Sequence, residues 1–439
     1  MLEKLRTIFQ VPELRRRILF TLSLFVVYRL GEHMPTPGVN AAALAGAFRS
    51  QANTLFGLYD MFVGGAFSRA TVFALGIMPY ISASIILQLL GAVVPYFEKL
   101  RKEGEEGQKK ITQWTRYGTV LISIVQSYAY SIFLVNLGTS QGLTVVPDPG
   151  FAFFFSTIVT QTTGTILVMW LGEKITEFGI GNGISLIIFV NIIGGMPNRI
   201  MQAVDSVRAG SLGVIQIVLI MAIMVAVIAA VIIMTQATRK IPVQYAKRMV
   251  GRKMIGGQST HIPLRVNTAG VIPIIFASSI MILPTTVAGF VPPDSPLAGL
   301  SQWFNPYGVL YNVLYAVIII FFTYFYTAVV LNPNDLAENM RKSSGFIPGI
   351  RPGRHTAEYI DRVLSRITLP GAFFLAAVAV LPDVIIAWFK VPALGFGGTS
   401  VLIVVGVALD TLQQVESHLL MRHYEGFVKR GRIRGRSRM

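Results

Sequence analysis

The stretch GVIQIVLIMAIMVAVIAAVIIMT, residues 213–235, runs without a single charged residue. At about 1.5 Å of rise per residue, a helix of this length crosses a hydrocarbon core roughly 30 Å thick. The rest of the 439-residue chain has the same character: 53% of its residues are hydrophobic and 13% are charged, against about 25% charged in soluble domains. We therefore expect an all-α membrane protein and exclude a soluble enzyme.

Nine further segments are apolar and long enough to be membrane spans, which makes ten predicted transmembrane helices in all. They lie near residues 18–31, 72–94, 117–137, 151–172, 180–196, 213–235, 269–291, 309–331, 367–389 and 397–417. The first could be mistaken for a signal peptide, because Arg15, Arg16 and Arg17 precede it. No small-residue cleavage site follows before His33, so it is interpreted as a retained helix.

The basic residues support ten spans. If the loops alternate sides, 32 of the 38 Lys and Arg residues fall on one side and five on the other, with Arg29 inside the first span. This asymmetry is what the positive-inside rule predicts, and it places both termini in the cytoplasm. A wrong number of spans would have distributed the basic residues over both sides of the membrane.

Ten spans divide into two five-helix halves of opposite orientation, an arrangement that permits an inverted repeat with a functional axis between the halves. The predicted organisation is a cytoplasmic N-terminus (1–17), an N-terminal half (18–196), an external hinge loop (197–212), a C-terminal half (213–417) and a basic cytoplasmic tail (418–439).

Two cytoplasmic loops, 236–268 and 332–366, are long for simple connections. The first contains seven basic residues and no acidic one. Both could be strong topology anchors. Positive-inside orientation needs only a few charges, however, so this many better suits a docking surface for acidic protein or RNA phosphate.

Residues 36–71 form the one long external segment. Within it, Leu55 to Arg69 is predicted to be a short amphipathic helix broken at Gly64 and Gly65. It is too short to span the bilayer, so it either lies flat on the outer interface or folds back among the helices. Composition alone favours the flat arrangement.

Several features are absent. The chain has no cysteine, no phosphate-binding loop and no metal-binding histidine pair. Ionisable residues at mid-span, which secondary transporters use to bind substrate or coupling ions, are almost lacking. A small-solute transporter nevertheless suits ten spans, and a membrane scaffold that docks ribosomes without conducting anything is a third reading.

Six stretches, in the same order along the chain, resemble the SecY/Sec61-alpha family of protein-conducting channels. They are GIMPYISASIILQLL (76–90), GIGNGIS (179–185), YAKR (245–248), QSTHIPLRVNTAGVIP (258–273), PGIRPG (348–353) and FGGTS (396–400). The resemblance implies two inverted halves around an hourglass pore, and a passive channel rather than an enzyme. It moves the channel reading ahead of the transporter.

The resemblance also implies roles for individual residues. An aliphatic ring at the narrowest point of the pore corresponds to Ile77, Ile81, Ile188, Ile275 and Ile403. A plug of about residues 57–70 would include Gly57, Asp60, Phe62, Gly64, Gly65, Phe67, Ser68 and Arg69. Docking to the motor or ribosome would involve Lys247, Arg248, Arg252, Lys253 and Arg351. Gln126 and Asn267 are candidates for polar residues of the lateral gate, with ordinary helix packing as the alternative.

The family likewise implies partners and a location. The expected small membrane subunits are SecE and SecG, and the expected driving partners are the SecA motor ATPase or the ribosome. Signal sequences, nascent polypeptides and membrane lipids complete the set, with no cofactor. The expected location is the bacterial cytoplasmic (inner) membrane, where the channel would pass unfolded secretory chains across and release transmembrane segments laterally.

Overall fold

A computed structural model describes residues 11–48, 55–141, 144–208, 210, 213–245, 248–250, 253–255, 259–288, 308–389 and 397–430. The chain divides into two compact units. The first unit comprises Met1–Met196 and Val407–Met439, and the second comprises Pro197–Gly406.

The first unit is helical in its described part. Its helices are α1 (Pro12–Gly31), α2 (Ala41–Phe48), α3 (Leu55–Phe62), α4 (Met78–Val93), α5 (Pro95–Lys102), α6 (Glu105–Gln141), α7 (Phe151–Phe178) and α8 (Gly183–Arg208), whose last turns belong to the second unit. Helix α6 packs on α4 and α7, and α1 packs on α7. Gly183 makes the contact with α7 close, because a Cβ there would collide with the carbonyl of Gly172.

In the residues that the structure describes, the second unit combines helices with short strands. Its helices are α9 (Val214–Gln236), α10 (Ile272–Ala288), α11 (Val309–Val330), α12 (Pro333–Lys342) and α13 (Arg354–Phe389), and α14 (Gly398–Arg430) begins there and continues into the first unit. Helix α11 packs on α10 and α13. Helix α9 is almost uncovered within the chain, which suits a helix whose solvent is lipid.

Five short strands lie in segments that the sequence analysis treated as loops. They are β1 (Thr238–Tyr245), β2 (Arg248–Val250), β3 (Lys253–Ile255), β4 (Ser259–Arg265) and β5 (Gly345–Phe346). Strand β1 pairs antiparallel with β4 and with β5, and β2 pairs with β3.

This small sheet joins the two basic loops through a core of their own. The sheet contributes Ile241, Val243 and Leu264, and the other segments contribute Met340, Ile347, Ile360 and Leu364. Burying each such side chain is worth about 1.5–3 kcal/mol. The loops are therefore one folded element, although neither looked structured in sequence.

A helix lies at each of the ten predicted spans. Among the described helices, seven are long and apolar enough to cross a membrane by length and composition alone. The count rises to eight if Met78–Val93 and Pro95–Lys102, which meet at 96°, form one span. The other two are α1, which carries four arginines, and α10, which has only 17 residues.

Several helices extend beyond the predicted boundaries of the spans. Residues 197–208, assigned to the external hinge loop, continue helix α8 through Pro197, and α14 extends to Arg430 into the predicted tail. Helix α1 already begins at Pro12. The physical reason is that hydropathy marks only the lipid-crossing part of a helix, whereas backbone hydrogen bonding continues into polar sequence.

The second span was also predicted to begin too early. Residues 72–77 form turns, and α4 begins at Met78. Gly76 takes the left-handed conformation, with φ of +55°, and Pro79 occupies the first turn of the helix, where its missing N–H costs nothing. Ile77 consequently lies at the N-cap rather than inside the helix.

Candidate functional site

The plug segment, residues 57–70, starts in α3 and continues as turns. Gly57, Asp60 and Phe62 lie in the helix, which ends before the predicted break. Gly64 and Gly65 follow with φ of +72° and +82°, a conformation that glycine adopts without steric cost.

The C-terminal end of the plug segment is tied to the chain that follows α1. The Thr36 amide donates to the Ala70 carbonyl at 2.8 Å, and the Val72 amide donates to the Met34 carbonyl at 2.9 Å. The plug segment is therefore fixed at its C-terminal end to the connection between α1 and α2.

Phe67 is the hydrophobic centre of the plug segment. Its ring is 6% exposed. Its neighbours, by distance between ring centroids, are Tyr130 at 4.6 Å, Tyr59 at 4.9 Å, Phe133 at 5.7 Å, Phe48 at 5.8 Å and Phe56 at 6.0 Å. Each favourable ring pair adds about 0.5–1.5 kcal/mol to the burial of the ring. Phe67 thus anchors the segment from within.

Three buried side chains, from three different helices, donate hydrogen bonds to main-chain carbonyls in and just beyond the plug segment. The Tyr130 hydroxyl donates to Phe67 at 2.7 Å, the Gln161 amide to Thr71 at 2.9 Å, and the Asn191 amide to Phe62 at 2.9 Å. Because main-chain carbonyls are the acceptors, these hydrogen bonds depend on the conformation of the backbone and not on the side chains of the acceptor residues. We call Tyr130, Gln161 and Asn191 the three anchors.

Polar contacts within the plug segment fix its turns. The Asp60 carboxylate accepts from the Ser68 amide at 2.8 Å, and the Arg69 guanidinium donates to the Gly65 and Gly64 carbonyls at 2.7 and 3.1 Å. Burial raises the pKa of the Asp60 carboxyl from its ordinary value, and the Ser68 hydrogen bonds and the Arg69 charge oppose that shift. The turns of the plug segment are consequently stabilised by hydrogen bonds within the segment itself.

All five predicted ring residues are buried, each at most 5% exposed. Ile77, Ile81 and Ile188 belong to the first unit, and Ile275 and Ile403 to the second. Ile81 lies in the first turn of α4, Ile188 in α8, Ile275 in α10 and Ile403 in α14.

The two candidate gate residues are buried amides. Gln126 lies on α6, and its side-chain oxygen has no hydrogen-bond partner among the described residues. Asn267 follows β4, and its amide nitrogen donates to the Gly270 carbonyl at 3.2 Å. The Asn267 side-chain oxygen likewise has no hydrogen-bond partner among the described residues.

The predicted docking residues are only partly placed. Lys247 and Arg252 lie outside the described residues, while Arg248 and Lys253 stand at the ends of the β2–β3 hairpin. Arg351 is exposed in the turn between β5 and α13, where the Thr356 hydroxyl donates to its carbonyl at 2.9 Å. The Pro348–Gly353 turn adjoins Ile347, which belongs to the core of the sheet.

Sequence reasoning missed the three anchors. It searched the spans for ionisable residues, whereas the anchors are two amides and a phenol. Gln161 and Asn191 lie within predicted spans that contain no charged residue. A polar side chain inside a membrane segment usually has a partner, and this was the available signal.

Comparisons with known proteins agree on one family. The family profile described as SecY matches residues 71–412. A curated relative, protein translocase subunit SecY from Aquifex aeolicus, is 45% identical over 432 residues, which cover 98% of this chain and 100% of the relative.

Two solved structures are similar in fold, each 18% identical and covering 92% of both chains. One is described as the structure of a protein-conducting channel, with a TM-score of 0.67. The other, with a TM-score of 0.65, is described as showing that the plug domain of SecY stabilises the closed channel and maintains a membrane seal. The predicted all-α membrane fold is confirmed, and the chain belongs to the SecY family of protein translocase subunits.

Proposed function

We propose that this chain forms the pore of a protein translocase in the bacterial cytoplasmic membrane. It passes unfolded secretory polypeptides across the membrane and releases apolar helices laterally into lipid. The observation that carries the proposal is the plug segment: an internally bonded loop, seated on Phe67 and held by the three anchors. A loop held by its main chain within a helical unit is suited to closing a pore. It can also move out of the pore without unfolding.

Ile77, Ile81, Ile188, Ile275 and Ile403 form the constriction of the pore in this proposal. Isoleucine is β-branched and stiff, so a ring of such side chains closes around an extended chain of any sequence. A narrow apolar constriction also loses its water, which opposes ion flow. Charged residues there would bind some substrates and repel others.

Replacing Ile81 and Ile275 with glycine is expected to raise the resting ion conductance of the channel in planar bilayers, because the constriction widens and fills with water. Ile187→Gly provides a matched control. Ile187 is equally buried next to Ile188, but its Cδ1 atom lies beside Gly172 of α7. Equal conductance in the Ile81 and Ile275 variants and in the wild type would contradict the ring.

The lateral gate is proposed to involve Gln126 and Asn267. A few hydrogen bonds in lipid are worth about 1 kcal/mol each, weak enough for a docked partner to shift. An opening gate then sorts segments by hydrophobicity, since a charged side chain at the bilayer centre costs about 2.5–3.5 kcal/mol on insertion scales.

The remaining proposals concern orientation and partners. The strong basic asymmetry supports cytoplasmic termini and two halves of opposite orientation. The proposed partners are SecE and SecG in the membrane, and SecA or the ribosome on the basic loops 236–268 and 332–366. Folding of these loops around one core supports their use as a docking surface rather than as separate topology anchors.

A disulfide crosslink tests the whole proposal. The chain has no cysteine. We introduce one cysteine at Ile81 and a second, single cysteine in a secretory precursor that is stalled midway through export, so that a disulfide between the two proteins can form only between these two positions. We expect a crosslink that requires both the signal sequence and the motor, because the stalled chain occupies the constriction.

A cysteine at the exposed Arg354 serves as the reactivity control for this crosslink. If Arg354→Cys reacts with the precursor while Ile81→Cys does not, the precursor docks without passing through the predicted pore. That result would favour the scaffold reading. Reaction of neither cysteine with the precursor, together with solute uptake by the reconstituted protein, would favour the transporter.

A further inference from the structure

The first unit contains a buried charge that no proposed role yet explains. The Glu32 side chain is fully buried and forms an ion pair with Arg29, one helical turn earlier in α1. Arg29 packs against α8 at Gly194, where any larger residue would overlap its guanidinium. A buried carboxylate destabilises the folded state unless it is paired with a cation and hydrogen-bonded.

Glu32 and Asn191 converge on one point of the plug segment. A Cβ built on Gly64 would lie 2.8 Å from Glu32 Oε1 and 3.1 Å from Asn191 Oδ1. Both oxygens are buried and have no hydrogen-bond donor among the described residues. One Cα hydrogen of Gly64 therefore points toward these two acceptors, and the space between them admits glycine but no larger residue.

The amide of Asn191 fixes the geometry of this arrangement. Its nitrogen donates both to the Phe62 carbonyl, at 2.9 Å, and to the Tyr28 hydroxyl, at 2.8 Å. The Asn191 oxygen, on the same amide, lies next to the Gly64 turn. The same turn is also held by Arg69, whose guanidinium donates to the carbonyls of Gly64 and Gly65.

We propose that Arg29, Glu32 and Asn191 form a polar socket that holds the Gly64–Gly65 turn and sets how readily the plug segment leaves its closed position. This inference rests on the proposed role of the plug segment. It assigns Glu32 and Asn191 as positioning residues. Arg29 acts through Glu32, whose carboxylate it neutralises and orients.

The first test compares two neighbouring glycines. Gly64→Ala and Gly65→Ala impose similar backbone strain, since both positions have positive φ. A Cβ at Gly65 meets only the flexible end of Arg69, at 3.4 Å, whereas a Cβ at Gly64 enters the socket. We expect Gly64→Ala to release the turn about tenfold more than Gly65→Ala, because one fixed contact of this kind outweighs a small strain difference. Equal effects would overturn the socket.

Release of the turn is measured without relying on conduction. Ser68→Cys places a single thiol beside the turn in a chain that lacks cysteine. Its rate of modification by a hydrophilic maleimide, in the complete detergent-solubilised complex, reports whether the plug segment is seated. Resting conductance in planar bilayers is recorded in parallel.

The second test changes the socket itself. Glu32→Gln and Asn191→Ala are expected to raise the Ser68→Cys modification rate about fivefold to tenfold, the effect of losing one charged or neutral hydrogen-bonding group. Asn312→Ala is the matched control: Asn312 is a buried amide in the second unit whose nitrogen donates to the Gly308 carbonyl. Thermal unfolding of each variant checks that the fold is retained.

The rate of thiol modification tests the socket, and the resting conductance tests the sealing role of the plug segment. Faster thiol modification with unchanged conductance would support the socket and refute the sealing role of the plug segment. Unchanged modification in both Glu32→Gln and Asn191→Ala, with the folds intact, would refute the socket while leaving the sealing role standing.

Discussion

Deletion of residues 60–68 is expected to make the resting channel conduct ions in planar bilayers. The deletion removes the Phe67 ring from its aromatic surroundings and removes the carbonyl that Tyr130 binds. It also removes the last residues of α3 and the Gly64–Gly65 turn that Arg69 binds. Of the three anchors, only Gln161 keeps its acceptor, because Thr71 lies outside the deleted residues.

The size of this effect follows from the lost contacts. Burial of one large aromatic side chain contributes about 1.5–3 kcal/mol, and each hydrogen bond adds about 0.5–1.5 kcal/mol. A loss of roughly 3 kcal/mol changes the ratio of unseated to seated plug by about a hundredfold. We therefore expect the leak to rise by about two orders of magnitude, provided that no other segment fills the space.

A replacement of equal length controls for strain in the shortened connection. Residues 60–68 exchanged for nine glycine and serine residues keep the chain length but lack Phe67 and Asp60. A leak from both variants assigns the seal to the side chains and turns of the plug segment. An intact seal after the deletion would contradict the plug and restore the flat interfacial helix that composition alone favours.

Arg351→Glu is expected to reduce motor-driven transport of a secretory precursor by roughly 30-fold, the effect of about 2 kcal/mol at the centre of an interface. Arg351 is exposed at a turn bounded by Gly349 and Gly353, both with positive φ, and stiffened by Pro348 and Pro352. Its charge is therefore presented at a defined position, and reversal places like charges opposite each other on docking.

The control for Arg351→Glu is a charge reversal three residues away. Arg354 is also exposed, but it lies at the start of α13 and forms an ion pair with Glu358 at 3.0 Å. Membrane insertion of the channel itself is measured in both variants by the yield of folded protein in the membrane fraction. Transport at the wild-type rate in Arg351→Glu, or an equal loss in Arg354→Glu, would refute a specific role for Arg351.

The Arg351 prediction depends on tertiary structure as much as on sequence. The motif PGIRPG indicated the position, but the sequence treated its surroundings as a loop of about 35 residues. Pairing of β5 with β1 and burial of Ile347 show why the turn is fixed. The strands are short, two to eight residues, and alternate too weakly for a periodicity argument to find them.

The location of the ten helices followed from hydropathy and charge, because a bilayer imposes a one-dimensional rule. About 20 consecutive apolar residues are needed per span, and basic residues remain on one side. Helix ends were less predictable. The rule says nothing about where backbone hydrogen bonding stops, as in α8, which continues past Pro197 to Arg208.

The sequence by itself determined that this chain is a multi-pass helical membrane protein, and its motifs determined the family. Both are properties of composition and local order, which no packing can change. Only the tertiary structure decided that residues 57–70 are seated by Tyr130, Gln161 and Asn191, and that Glu32 faces Gly64. Those contacts join residues as many as 129 positions apart. The partner of a buried polar group is chosen by which helices pack together, a choice that local pattern does not encode.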